Sequence, residues 1–329
     1  MTAESDAVQT TFLGVQNRNK DSLLIKAARS GEIHLFDSFL TQLENRDPAS
    51  SVETATELLE RHCNRQGKSV LHEAAQNGQL QVVRWLVVWP LQVQPDCLKQ
   101  GDWSPLMLAC AKANNLDVVR QLLSADADLW LRNKDGWTAF HIACREGSTE
   151  ILEVLLAKDS HCWKCISRNG RSPLHTAAMY GRTSVVQFLL EYCAYRPDQA
   201  DSCGSTPLMD ALRFDHVEIA KMLVEKQGAD ICLADKIGRQ AVHLAAEAGA
   251  LNSLQLLITE WAVSTDTVVS ESGLTPAHFA AKEGHIDALR LLQGQGAKLS
   301  SRCKHGRTPL ELADSAGHSD CAALLCQGN

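Results

Sequence analysis

Apolar residues recur along the chain in short blocks with helical spacing, each preceded by a polar turn. One block shows all the parts: Asn133-Lys134-Asp135-Gly136-Trp137-Thr138-Ala139-Phe140-His141-Ile142-Ala143. Asn and Asp hydrogen-bond locally and Gly takes positive φ without a Cβ clash, so Asn133 to Gly136 predicts a tight turn. Thr138 then caps a helix, its hydroxyl able to accept from one of the orphan amides of the first turn. Phe140, Ile142 and Ala143 predict that this helix is short and buried.

The block returns along the whole chain. Aligned on the cap, it places Ser69, Ser104, Thr138, Ser172, Thr206, Gln240, Thr275 and Thr308 at intervals of 33 to 35 residues. Pro follows several of these caps, where its missing N–H costs nothing. Paired small residues such as Ala74-Ala75 and Ala177-Ala178 then allow neighbouring helices to approach closely. A residue nine past the cap, Gly147 in the block above, is expected to end the helix in the left-handed conformation. Asp215 stands there in one repeat, and the longer run Ala113-Asn114-Asn115 offers Asn for the same role. Second apolar stretches, among them VVRWLV, VVRQLL and ILEVLL, predict a second helix per unit with one face on the stack.

The ends differ from the middle. Ser22 to Leu40 reads as a degenerate first helix pair, followed by a polar insertion around Asn45 to Thr54. In the last unit Asp314 puts a charge where inner units bury a methyl group, as a wet terminal repeat requires. The expected organisation is a polar leader at 1–20, a degenerate N-terminal capping repeat with an insertion at 21–66, seven repeats at 67–307 and a C-terminal capping repeat at 308–329. The blocks SVLHEAA, TAFHIAC, SPLHTAA and TPLELAD resemble the ankyrin signature T-P-L-H-x-A. That resemblance implies an all-α ankyrin-repeat solenoid of stacked helix pairs with turn or hairpin connections.

Composition narrows the function. Of 329 residues, 45% are hydrophobic and 22% charged, enough for a large core and against extensive disorder. A formal charge of -7 disfavours direct nucleic-acid binding. The first 20 residues hold Glu4, Asp6, Arg18 and Lys20 without an apolar run, so no secretory signal is expected. No membrane span is expected either, since Val82 to Leu91 is interrupted by Arg84 and Pro90. Twelve scattered Cys read as reduced thiols of a cytoplasmic or nuclear protein.

Candidate chemistry is sparse. His72, His141, His175, His243 and His278 each follow a cap by three residues. They read as helix-start hydrogen-bonding residues, because repeats stacked ~10 Å apart cannot share one ion. Cys162 and Cys165 form a lone C-x-x-C lacking the second ligand pair that zinc needs. Catalytic signatures are absent, so no enzyme, metal or cofactor is expected. Trp103, Trp130, Trp137 and Trp163 fall in three successive connections beside Lys99, Arg132, Lys134, Lys164, Arg168 and Arg171. Such aromatic and basic clusters mark binding hot spots. Trp103 and Trp137, each one residue before a cap, could equally brace adjacent turns.

Cys97 to Asp210, through DCLKQGDWSPLMLAC, LRNKDGWTAFHIACREG and Cys162-Trp163-Lys164, is similar to a family of ankyrin-repeat co-regulators of alanyl-tRNA synthetase. The similarity implies a non-enzymatic monomer that binds the synthetase catalytic domain and accepts misactivated serine on lysines, as a stoichiometric acceptor. Carried over, the acceptors are Lys134 and Lys164. The third position is occupied by Gln100, which cannot be acylated in this way, so either the adjacent Lys99 takes its place or the site is lost. Trp103, Trp130, Arg132, Trp137, Trp163 and Arg168 are then the expected partner interface. The alternative is an ankyrin scaffold for an unrelated protein partner.

Overall fold

The computed structural model describes residues 9–14, 21–45, 51–88 and 90–327. Residues 1–8 and 15–20 of the polar leader and 46–50 of the insertion lie outside them. The chain divides into two compact units, Met1–Arg168 and Asn169–Asn329. Each is a stack of helix pairs joined by hairpin turns, and among the described residues β-pairing is confined to isolated bridges such as Lys99 to Trp103.

In the first unit the helices are α1 (Leu23–Ser30), α2 (Ile33–Glu44), α3 (Ser51–Arg61), α4 (Val70–Gln76), α5 (Leu80–Val87), α6 (Pro105–Cys110), α7 (Leu116–Ser124), α8 (Ala139–Glu146) and α9 (Thr149–Lys158). The short first helix of each pair stacks on its neighbour, α1 on α4, α4 on α6 and α6 on α8. Small residues make this possible: Ala74, Ala75, Ala109, Cys110, Ala143 and Cys144 are all fully buried. The second unit repeats the scheme with α10 (Pro173–Met179), α11 (Thr183–Tyr192), α12 (Pro207–Arg213), α13 (Val217–Gln227), α14 (Ala241–Ala248), α15 (Leu251–Gln255), α16 (Pro276–Glu283), α17 (Ile286–Gly294), α18 (Pro309–Ala316) and α19 (Ser319–Gln327).

The predicted caps all start their helices. The histidines behind them tie one repeat to the next. Nδ1 of His72 accepts the Ser69 N–H at 3.2 Å, which leaves the ring proton on Nε2 to be donated to the Trp103 carbonyl at 3.0 Å. His175 does the same between the Ser172 N–H and the Ser205 carbonyl. Among the described residues no group of three or more His, Cys, Asp or Glu is placed to hold a metal ion, and no helix is long and apolar enough to cross a membrane.

Three details depart from the sequence reading, and a fourth locates an extra residue. Asn114 and Asn115 are not left-handed: Ala113–Asn115 forms a 3-10 turn, and Asn115 has φ -96°. The extra residue lets this turn reverse the chain, which frees the Asn115 amide to donate to the Ala75 carbonyl at 3.1 Å. Ser51–Arg61, read as partly insertion, is a helix that buries Ala55 and Leu59. Phe12 of the leader is buried, its ring edge-on to Phe39 at 5.6 Å. The 35-residue interval before Thr275 is taken up in the hairpin, where Val269 bonds to Leu274, five positions on, while Asn133 bonds to Trp137, four on.

Candidate partner-binding face of the first unit

The hairpins are built by the residue five before each cap. At Asn133 the side-chain oxygen accepts the N–H groups of Asp135 and Trp137 at 3.0 and 2.9 Å, while its backbone N–H pairs with the Trp137 carbonyl at 2.9 Å. Asn64 serves its own hairpin in the same way, accepting from Gln66 and Lys68. Lys99 stands at this position in the repeat between them and has no oxygen to offer. Its hairpin is closed by the backbone alone, through Lys99 N–H to the Trp103 carbonyl at 3.0 Å.

Successive hairpins are then fastened together. The Lys134 N–H reaches the Gly101 carbonyl at 3.0 Å, and the Arg168 N–H reaches the Asp135 carbonyl at 2.9 Å. Gly136, at φ 78°, lies so close to the Ser167 and Arg168 backbone that a Cβ there would clash. The exposed residue four before the cap is thus held at a fixed place in each turn: Arg65, Gln100, Lys134 and Arg168. Gln100 is used structurally, its amide donating to the Arg65 carbonyl at 3.0 Å.

Behind the tips lies a run of stacked cations and rings. The Lys99 amine sits 5.4 Å from the centre of the Trp103 ring. The Arg145 guanidinium lies over Trp103 at 6.0 Å and over Trp137 at 5.7 Å, and Trp137 stacks on His141 at 6.0 Å. Burial, reinforced by the charge of Lys68, holds the Lys99 amine below the ordinary lysine range. Trp103 and Trp137 therefore brace the turns and also present a half-buried aromatic surface.

The remaining candidates sit elsewhere on their connections. Trp130 is 40% exposed and donates from Nε1 to Asp159 at 3.1 Å. Lys164 lies on the 3-10 turn Cys162–Lys164 with its amine 5.5 Å from the Trp163 ring centre. It stands eight residues before Ser172, as Trp130 does before Thr138, so it is the positional counterpart of Trp130 and not of Lys134. Arg132 donates to the Ile166 carbonyl at 2.9 Å. Cys162 and Cys165 are both buried, and Cys165 Sγ accepts from the Thr138 hydroxyl at 3.3 Å, a packing role beside the cap.

Two participants escaped the sequence reading, Arg145 and Lys68. Arg145 is seven residues past a cap, at the end of a helix, and only stacking of the repeats sets it between two tryptophans. Lys68, one residue before Ser69, is the equivalent of Trp103 and Trp137 one repeat earlier, and that periodicity could have exposed it.

Helix pairs stacked through small residues, with hairpins carrying the exposed polar and aromatic groups, define a repeat protein whose working surface is a face and not a pocket. A family model for ankyrin repeats in three copies matches residues 88–164, 159–235, 193–267 and 242–329, and a single-repeat model matches 66–89. The chain belongs to the ankyrin-repeat family. It is 31% identical over 129 residues to an ankyrin repeat protein of Rickettsia bellii, across 39% of this chain and 71% of that one. It is 24% identical over 320 residues to ankyrin repeat protein nuc-2 of Neurospora crassa, covering 95% of this chain and 28% of the relative. Human rabankyrin-5 is 28% identical over 175 residues, across 53% of this chain and 15% of its own length. The match thus spans under a third of these last two relatives. Ankyrin repeats are protein-interaction modules and generally not enzymes.

Proposed function

We propose that the first unit binds the catalytic domain of alanyl-tRNA synthetase and takes misactivated serine onto its lysines before the serine reaches the alanine tRNA. The proposal starts from the similarity of Cys97 to Asp210 to ankyrin repeat domain-containing protein 16. The single observation that supports it most is Lys99: an amine four residues from a hot-spot tryptophan, half-buried, with its protonated form disfavoured. The chemistry needs no cofactor. A neutral amine attacks the carbonyl carbon of the seryl-adenylate, the C–N bond forms, the C–O bond to phosphate breaks, AMP departs, and the amine proton goes to solvent.

An ordinary lysine is neutral only about one time in a thousand near pH 7.4. Both the lowered protonation of Lys99 and the high effective concentration of a docked acyl group work against that handicap. Lys134 and Lys164 remain acceptors in the proposal, Lys134 on a rigid hairpin and Lys164 against Trp163. A reducing compartment, cytoplasm or nucleus, belongs to the same proposal, in keeping with twelve free thiols. The test is intact-mass and peptide-mapping spectrometry after incubation with the synthetase, serine and ATP. Serine adducts are expected on Lys99, Lys134 or Lys164; an unmodified chain despite demonstrated association would overturn serine capture.

A second reading, an adaptor for an unrelated protein, is favoured by one observation. Gln100 is committed to closing its hairpin against Arg65, which gives that position a structural purpose independent of any acceptor lysine. Full cellular function in a Lys99→Ala, Lys134→Ala, Lys164→Ala variant would decide for it.

A further inference from the structure

Lys99 is a cation with no anion. Its amine makes one long hydrogen bond, to the Gln100 carbonyl at 3.4 Å, and among the described residues no carboxylate pairs with it. Its neighbour Lys68 is provided for: the Glu73 carboxylate lies 3.4 Å away and the Gln76 side-chain oxygen 2.6 Å away. Like charge beside it and partial burial both raise the cost of keeping Lys99 protonated. The amine nevertheless stays over Trp103, at the head of the stack that continues through Arg145 to Trp137. Along the rim, the exposed tips carry Arg65, Lys134 and Arg168. With Lys99 these tips outnumber the exposed Asp102 and Asp135 among them, and Arg145 is itself paired with Glu146 at 2.6 Å, so the face carries an excess of positive charge in a chain whose formal charge is -7.

We propose that this face takes an acidic segment of a partner protein, one carboxylate pairing with Lys99 while adjacent apolar atoms lie against the Trp103–Arg145–Trp137 stack. The inference rests on the first unit being the partner-binding unit and adds the chemistry of what is bound; a paired Lys99 is protonated and not nucleophilic, so pairing and serine capture are alternative uses of this one amine, and Lys134 and Lys164 are the acceptors left while it is paired. A carboxylate arriving there meets an amine already partly stripped of water, so the pair forms at lower desolvation cost than one between two fully hydrated groups. Single-stranded nucleic acid fits less well. Base stacking needs an open aromatic face, whereas Lys99 and Arg145 lie over Trp103, and Arg145 and His141 flank Trp137.

The experiment is fluorescence anisotropy with the full chain and a labelled, short, glutamate-rich peptide containing leucine. A lysine-rich peptide and an oligouridylate of similar length serve as comparisons, and circular dichroism checks the fold of every variant. Expected are binding of the glutamate peptide only, a loss of about tenfold in Lys99→Gln, a similar loss in Arg145→Gln, and no change in Lys236→Gln on a hairpin of the second unit. Absence of binding, an equal loss in Lys236→Gln, or preference for the oligouridylate would each overturn the inference. The synthetase is assayed separately. Synthetase association without peptide binding defeats this inference and leaves the proposed partner standing; peptide binding without synthetase association does the reverse.

Discussion

His72 donates from Nε2 to the carbonyl of Trp103, 31 residues further along, at 3.0 Å. The two bonds of the ring coexist only while it is neutral, because Nδ1 must at the same time accept the Ser69 N–H; protonation would keep the bond to Trp103 and break the one to Ser69. Burial accordingly pulls the imidazoles of His72 and His175 down to about 4. An unfolded chain takes up these protons near pH 6.5, and the folded one resists until about pH 4. Each histidine's contribution is therefore complete above pH 6.5 and is lost as pH falls between those values, on the order of 3 kcal/mol apiece. Urea unfolding midpoints should drop over that interval in the wild type, and the drop should be smaller in His72→Gln. A midpoint flat from pH 7 to 4.5 would show that the histidines are not held neutral.

Gly136→Ala tests whether the hairpins are rigidly stacked. The position needs φ 78°, and a Cβ would strike the backbone of Ser167 and Arg168. The expected cost is about 1–3 kcal/mol, read as a lowered melting temperature. Gly296→Ala, at φ 81° but facing open space, supplies the comparison for backbone strain without the clash and should cost less.

Most of the fold was legible because each repeat encodes its own turn, cap and packing pair locally, so the caps from Ser69 to Thr308 needed no tertiary information. What was missed depends on packing between repeats. Asn115 looked like a left-handed helix end, and its real task, bonding Ala75, appears only when two repeats are stacked. Ser51–Arg61 was obscured by the polar residues around it, although Ala55 and Leu59 carry a helical spacing. At the site, the tryptophans and Lys99 were visible in the sequence. Arg145 was not, since nothing local announces that a helix-end arginine will lie between the rings of Trp103 and Trp137.

Lys99 should acylate at a lower pH than an ordinary lysine. Its amine is held down first by burial and then by Lys68, so its neutral fraction at a given pH is raised. Mass-spectrometric titration of acetic anhydride labelling should place its midpoint below about 10.4. Lys68→Gln removes one of the two causes and should move the midpoint back up. A midpoint at the ordinary value in the wild type would remove the main support for Lys99 as an acceptor.

In the second unit, Arg171 is paired with two buried carboxylates, Asp201 at 3.1 Å and Asp210. Burial pushes the Asp210 carboxyl up to about 6, with the attraction of Arg171 opposing it. Replacing Arg171 with Met keeps much of the aliphatic stem and removes the charge, leaving both acids facing each other in a poorly hydrated site. The expected loss at pH 7.5 is about 3–5 kcal/mol, the usual result of breaking a buried pair from one side. The penalty should shrink as pH falls towards about 6 and be smallest below it, because loss of Arg171 raises the Asp210 carboxyl further and a protonated Asp210 no longer needs the cation. Chemical denaturation of wild type and Arg171→Met at pH 7.5 and pH 5 reads both effects. A loss that is the same at the two values would mean that packing of the arginine stem, and not its charge, is what the site requires.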